Sequence, residues 1–403
     1  MRILTLVLSV ATAISTLSSG ARAGELNAYG VTYETQNVPE GAVRAGSWRS
    51  YPIQLNTKAS SQTVKAPNAA FVKVYFDYLD LPSGWQLQVS NADGSEAYRY
   101  GGSEASDFTF DTKMGQNGST SFAAMSISGD TAVVSLLPPS TFTQSKAQPY
   151  VVISHILEGF PEQVMEDLKS TNLLLGGGQP VPDSICGTDN KQRPACYSGN
   201  AFDKSRAVAR LLIGGTSLCT AWRIGAGDKM LTNNHCASSN ADVAATEVWF
   251  NYQHSGCTGT GLAAVTKVSG KTMLKTSGPL DYTLFTINNA ANVASFGTLS
   301  IDPRMPNAAE QIYIPQHPGG RFKEIAVNST SDSTGKCKVF ATQVGNDFTY
   351  YCDTEGGSSG SPVFSASNNK VIGLHHLGGC TNRAVRISRV WQEIGGFFNN
   401  QVP

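Results

Sequence analysis

Asp353-Thr354-Glu355-Gly356-Gly357-Ser358-Ser359-Gly360-Ser361-Pro362-Val363-Phe364 sets a serine among glycines in a loop that runs into an apolar strand. Without a Cβ, Gly356, Gly357 and Gly360 can take positive φ and turn backbone N–H groups into one concavity, the surface a developing oxyanion needs. Ser359 is the candidate nucleophile, with the N–H groups of Gly357 and Ser359 as candidate oxyanion donors. Taken alone, Gly-Ser-Ser-Gly-Ser is also the composition of a flexible linker. Sequence upstream decides between the two.

A nucleophilic serine needs a base, and the base needs a group that orients it. Leu218 to Ile224 and Met230 to Thr232 are short apolar runs flanking Gly225-Ala226-Gly227-Asp228, so they read as a hairpin that delivers His235 at a strand end. Asp281 heads the alternating run Tyr282-Thr283-Leu284-Phe285-Thr286-Ile287 and is the candidate orienting acid.

The order His, Asp, Ser, in Thr232-Asn233-Asn234-His235-Cys236, Asp281-Tyr282-Thr283-Leu284 and Gly357-Ser358-Ser359-Gly360-Ser361-Pro362, resembles the trypsin-like (chymotrypsin-fold) serine proteases. Within them it is most similar to secreted microbial glutamyl and lysyl endopeptidases, over roughly Cys186 to Asn400. The resemblance implies an all-β, two-barrel fold with a short C-terminal helix. It also implies protein or peptide substrates and a Ser359–His235–Asp281 mechanism that needs no metal and no cofactor. One departure concerns activation. Digestive-type members carry an aspartate just before the nucleophile, where this chain has Ser358, and no basic residue precedes an Ile/Val-Val-Gly-Gly start. Activation by a newly cut N-terminus pairing with that aspartate is therefore not expected.

Specificity rests on Asp353, Thr354 and the run Val371-Ile372-Gly373-Leu374-His375-His376-Leu377. Asp353 stands six residues before Ser359, where trypsin-like enzymes keep the acid that binds arginine or lysine. Thr354 and His375 instead resemble the hydroxyl and imidazole with which bacterial glutamyl endopeptidases grip a carboxylate. The acid of the lysyl type, after Asn382-Arg383, is replaced by Val385. The resemblance thus implies cleavage after Glu, sometimes Asp; Arg/Lys cleavage through Asp353 is the alternative, and His375 as a packed core residue is another. Side chains alternate along a strand, so His375 and His376 point opposite ways and do not chelate one ion together. His254 and His317 read as structural or exposed.

The 403 residues carry 30 acidic and 30 basic side chains with no basic stripe, which gives no footprint for nucleic acid. Met1-Arg2, the apolar run Ile3 to Ile14 and Ala21-Arg22-Ala23 read as a secretory signal cleaved after Ala23. No segment reaches the length of a membrane span. A secreted, soluble monomer is the expectation.

Export fits the eight cysteines, at 186, 196, 219, 236, 257, 337, 352 and 380, with no Cys-x-x-Cys among them. Hairpin geometry argues for Cys219–Cys236. The resemblance to lysyl endopeptidases implies Cys186–Cys380 and Cys196–Cys257, and Cys337–Cys352 remains by elimination. All eight lie from Cys186 onward, which marks a boundary: signal 1–23, N-terminal β-rich accessory or pro-domain 24–157, linker 158–185, protease domain 186–403.

In the N-terminal part, Phe71 to Tyr78, Trp85 to Val89, Glu96 to Tyr100, Phe122 to Ile127, Thr131 to Leu136 and Tyr150 to Ile156 read as short strands of a β-sandwich. Tyr75, Tyr78, Trp85 and Tyr98 either line a ligand surface or pack across strands. A helical piece over Pro161 to Lys169 and Gly176-Gly177-Gly178 separate the halves; the glycines lack the lysine of a phosphate loop and read as a linker. Val390, Ile394, Phe397 and Phe398 recur at helical spacing near the C-terminus. A second functional class is a non-catalytic homologue acting as an inhibitor or binding module; a third is a sandwich that targets the enzyme to polysaccharide.

Overall fold

The computed structural model describes residues 43–102, 105–139, 147–170 and 184–403. The expected signal segment and Gly176–Gly178 lie outside them. The protein is mostly β, and its strands form three bodies.

The N-terminal body is a sandwich. Ser61–Lys65, Thr131–Leu137, Gln86–Ser90 and Ala97–Tyr100 pair in that order as one sheet, and Gly46–Leu55, Tyr150–Gly159, Phe71–Asp80, Phe122–Ala124 and Phe108–Thr109 form the other. Alternation drives the packing: in Thr131–Leu137 every second residue, Ala132, Val134 and Leu136, is buried. Tyr100 and Phe108 each lie 5.0 Å from Phe122, ring centre to ring centre, inside this core. Of the four aromatics weighed as a ligand surface, Tyr75 and Trp85 are buried and Tyr98 packs against the core; Tyr78 is exposed.

The second body is a closed ring of six strands. Val208–Ile213, Ser217–Arg223, Lys229–Thr232, Tyr282–Ile287, Thr266–Ser277 and Thr246–Phe250 each pair with both neighbours. Val208–Ile213 and Ser217–Arg223 are buried on both faces, which explains why their residues are apolar or neutral apart from Arg210 and Arg223, both buried as well. From the N-terminal body, Val43–Arg44 pairs onto Leu218 and Ser217.

The third body orders Glu324–Ala326, Ile312–Gln316, Pro362–Ser365, Val371–Leu377, Asn382–Arg386, Asp347–Tyr350 and Val339–Val344. Bridges Gln311–Lys338 and Asn328–Lys336 draw its two ends together into a second barrel. A C-terminal helix, Ile387–Ile394, buries Ile387, Val390 and Ile394 against a cluster shared by the two barrels. Helical spacing overshoots at its end. A 3₁₀ turn over Gly395–Phe398 rotates the chain, so Phe398 packs while Phe397 stays exposed. Among the described residues no helix is long and apolar enough to cross a membrane.

Three disulfides form: Cys186–Cys380, Cys196–Cys257 and Cys219–Cys236. The expected Cys337–Cys352 bond does not. Both are buried free thiols in a cluster with Ile312, Ile314 and Phe348, and Cys337 Sγ donates to the Asn328 carbonyl at 3.4 Å. Burial pushes the Cys352 thiol well above its ordinary range, which suppresses the thiolate that oxidation requires. Elimination took for granted that every cysteine pairs, and this hairpin is already held by strand bonds between Val339–Val344 and Asp347–Tyr350.

Candidate active site

Trp222 pairs with Leu231 across the hairpin, and Gly225 and Gly227 take positive φ in its turn. Beyond Thr232 the chain leaves the strand and presents His235, pinned by the Cys219–Cys236 bond. The carboxylate of Asp281 accepts twice from this residue: from its backbone N–H at 2.9 Å and from Nδ1 at 2.7 Å. Asn233 adds a third tie, Nδ2 donating to the Asp281 carbonyl at 2.7 Å. Asp281 itself sits at φ 46°, unusual for a residue with a Cβ, at the head of Tyr282–Ile287. Nε2 of His235, the other ring nitrogen, is shielded from solvent and has no hydrogen-bond partner among the described residues.

The Ser359 loop docks on the same hairpin. Thr220 N donates to the Ser359 carbonyl at 2.9 Å, and Thr220 Oγ1 to the Gly357 carbonyl at 2.8 Å. Contact is close enough to demand glycine: a Cβ on Gly360 would lie 2.1 Å from the Thr220 carbonyl oxygen and 2.5 Å from Thr232 Oγ1. One on Gly357 would lie 2.5 Å from Gly320 N. Both glycines have φ near +90°, and the N–H groups of Gly357 and Ser359 donate to no acceptor among the described residues. Ser358 points away from the cleft, its hydroxyl bonded to Gln316 Oε1 and the Glu355 N–H.

The alternation of His375 and His376 holds, and it gives them different surroundings. His376 turns to Asp281: its Nδ1 lies 3.2 Å from Asp281 Oδ2, and Nε2 lies 3.2 Å from Asp347 Oδ1, close enough for charge pairing though misaligned for a hydrogen bond. Burial opposes its charge, but the two carboxylates prevail and raise it to about 9. Burial likewise works against the Asp281 anion, and the bonds from His235 and His376 outweigh it, holding that carboxyl well below the usual range. Sequence reasoning missed this second imidazole on Asp281. Alternation was the available signal, used only to separate His376 from His375.

Around the candidate pocket, Asp353 is buried and turned toward the chain's own backbone, accepting from the Cys186 N–H at 3.1 Å and the Asn190 N–H at 2.8 Å. Glu355 is neutralised, with Lys191 Nζ and Arg321 Nη2 each 3.0 Å away. The buried Thr354 hydroxyl has no hydrogen-bond partner among the described residues. His375 is buried, its Nδ1 2.7 Å from Tyr350 Oη and its ring within reach of the Arg383 carbonyl; burial, with His376 and His235 nearby, lowers it to about 3, so it is neutral. Val385 lies in the core. His317 is buried with Nδ1 at 3.0 Å from the Arg321 carbonyl, and His254 packs on Phe322.

Cys219, His235 and Cys236 bring potential metal ligands together, but the two sulfurs are bonded to each other and offer no thiolate. The arrangement is suited to proton transfer by one imidazole, backed by one half-buried carboxylate, on the hairpin against which the glycine-rich loop docks.

Comparison with known proteins agrees with this region of the chain. The family described as "Lysyl endopeptidase, C-terminal domain" matches residues 186–387. A protein named Secreted RxLR effector protein 73, from Plasmopara viticola, is 33% identical over 339 residues, covering 79% of this chain and 77% of the relative. Among solved structures, a Glu endopeptidase in complex with MPD aligns with 54% of this chain and 100% of its own at 20% identity and a TM-score of 0.42. The Rv3671c protease in its inactive form aligns with 52% of this chain and 98% of its own at 14% identity and a TM-score of 0.36.

Proposed function

Since the chain belongs to the lysyl endopeptidase C-terminal domain family, we propose that it is a secreted serine endopeptidase that cleaves peptide bonds through Ser359, His235 and Asp281, after Glu and sometimes Asp. One observation carries the reading: Asp281 fixes His235 through both Nδ1 and the backbone N–H, leaving an unpartnered Nε2 on the hairpin where the Ser359 loop docks.

In this mechanism His235 Nε2 takes the Ser359 hydroxyl proton as the oxygen attacks the peptide carbonyl. The oxyanion that forms accepts from the N–H groups of Gly357 and Ser359, each worth about 3–4 kcal/mol of barrier. His235 returns the proton to the leaving amine, and water repeats the sequence on the acyl-enzyme. Asp281 stays ionised throughout, orienting the ring and stabilising its charged form.

For the residue before the cut, the support is electrostatic. The carboxylate of Asp353 is occupied by backbone amides, Glu355 is paired with two cations, and Val385 is apolar, so none of the three offers a free anion for arginine or lysine. Thr354 keeps an unpartnered hydroxyl, and His375 is neutral, so neither carries a charge that would repel a carboxylate. Three disulfides suit an oxidising compartment.

Replacing Ser359 by alanine should lower kcat on the order of a million-fold, and replacing Ser358 far less. Glu- and Arg-terminated chromogenic peptides at one pH test the preference; faster hydrolysis of the arginine peptide overturns it. A second reading, a non-catalytic homologue that acts by binding, draws on the relative named as an effector. Purified protein that leaves denatured casein and every chromogenic peptide intact would favour it.

A further inference from the structure

A cavity of about 390 Å³ lies beside His235, and part of its wall comes from the N-terminal sandwich. His235 and Cys236 border it on the barrel side; Trp48, Asp111, Lys113 and Met114 border it from the sandwich. We propose that this cleft receives the segment of a polypeptide substrate that follows the scissile bond, and that the sandwich is a permanent wall selecting an apolar side chain there. The proposal rests on the endopeptidase reading of Ser359.

Direction comes from the lining. Every candidate for holding the acyl half of the substrate, from Asp353 through His375, belongs to the second barrel, and no residue of that barrel lines the cavity. A peptide whose acyl half lies against the second barrel therefore runs its leaving half over the first, past the Cys219–Cys236 bond.

Chemistry comes from what the wall presents. Lys113 Nζ pairs across the seam with Asp242 Oδ1 at 2.6 Å, so the mouth carries one internally neutralised pair. Met114 is 44% exposed, and Trp48 is half-buried with its ring 4.3 Å from that of Tyr75. Met114 ends a short turn whose start is capped by Asp111, Oδ1 accepting from the Lys113 N–H at 2.8 Å. The Phe110 N–H reaches the Ala244 carbonyl of the barrel at 3.1 Å. The Met114 thioether on this braced turn and the Trp48 indole on the strand Gly46–Leu55 are the apolar groups that the sandwich adds to a wall otherwise carrying Asp111, Lys113, Ser217, Ser238 and Asp242.

Permanence comes from the seam behind it. Glu247 of the barrel is fully buried and paired with Lys73 of the sandwich. It also accepts from Ser126 N at 3.0 Å, Ser126 Oγ at 2.6 Å and Trp249 Nε1 at 2.8 Å. Lys267 reaches back to Glu96 at 2.7 Å and the Ser126 carbonyl at 2.7 Å. Withdrawing the sandwich would strip these charges of their partners, a cost that keeps it docked.

Two substrates sharing one acyl half test this: a chromogenic anilide that ends at the scissile bond, and a quenched fluorescent peptide that continues for several residues with leucine just after it. The ratio of their kcat/KM values should favour the extended peptide, fall about tenfold in Met114→Asp, and be kept by Met114→Leu and by Tyr78→Asp elsewhere on the sandwich. An unchanged ratio in Met114→Asp overturns the proposal. Binding of the extended peptide to Ser359→Ala protein, followed through tryptophan fluorescence, gives a readout free of chemistry. Binding that depends on Met114 in a protein that hydrolyses neither substrate would keep the cleft and remove the hydrolytic reading; absent binding would remove the cleft.

Discussion

Asp281 holds two imidazoles, His235 and His376. His376 lies between the carboxylates of Asp281 and Asp347, which favour its charged form against burial. Stability follows the same group with a definite sign. A folded-state value of about 9, above the ordinary 6.5, means its contribution is complete below 6.5 and fades as pH rises through 9. Denaturant unfolding should show His376→Gln at its largest deficit under mildly acidic conditions and close to wild type in strong base; a deficit independent of pH would refute the charge argument. The glycines act by shape instead. Gly360→Ala meets both a positive φ and the Thr220 carbonyl, so it should cost about 3 kcal/mol or more and disorder the Ser359 loop, seen as a lowered Tm. His235, Asp281 and Gly360 were legible because short local motifs mark them. His376 was not, since its partner Asp281 lies 95 residues away in sequence and alternation names a face without saying what meets it.

At the scale of strands, legibility tracked amphipathicity. Thr131–Leu137 and Phe71–Asp80 alternate or run apolar and were readable, as was the Gln86–Ser90 and Ala97–Tyr100 hairpin with its turn residues between. Gly46–Leu55 and Ser61–Lys65 were not read as strands. Their exposed faces carry Arg49, Ser50, Gln54, Ser61 and Thr63, and bonds to neighbours, rather than composition, make them strands. Cys337 and Cys352 misled for a related reason: an even count suggests pairing, while burial decides the chemistry. Native protein should resist a thiol reagent, and denatured, unreduced protein should take up label at two cysteines, both in peptides containing Cys337 or Cys352. Finding no label there would mean the fourth bond forms after all.

Across the whole molecule, the cysteines divide the chain at Cys186 in sequence, while the seam joins sandwich and barrel in the fold through buried charges. Sequence reasoning had no access to Glu247 and Lys73, which are 174 residues apart and look like ordinary strand charges until the fold buries both. Arg210, equally buried, stacks its guanidinium 4.1 Å from Trp249 and 4.0 Å from Tyr252, while the Phe71 ring from the sandwich meets Trp249 at 5.2 Å. Such a contact couples the two bodies, because neither can unfold without leaving the other with a stripped charge. Lys73→Met leaves Glu247 buried beside an apolar side chain, and should cost about 3–5 kcal/mol. Lys73→Met with Glu247→Leu removes both charges and should recover much of that loss, though Ser126 and Trp249 then lose an acceptor. Calorimetry of the wild type should show one cooperative transition for sandwich and barrels together. Two well-separated transitions, with Lys73→Met shifting only one of them, would mean that the seam is incidental and the sandwich folds independently.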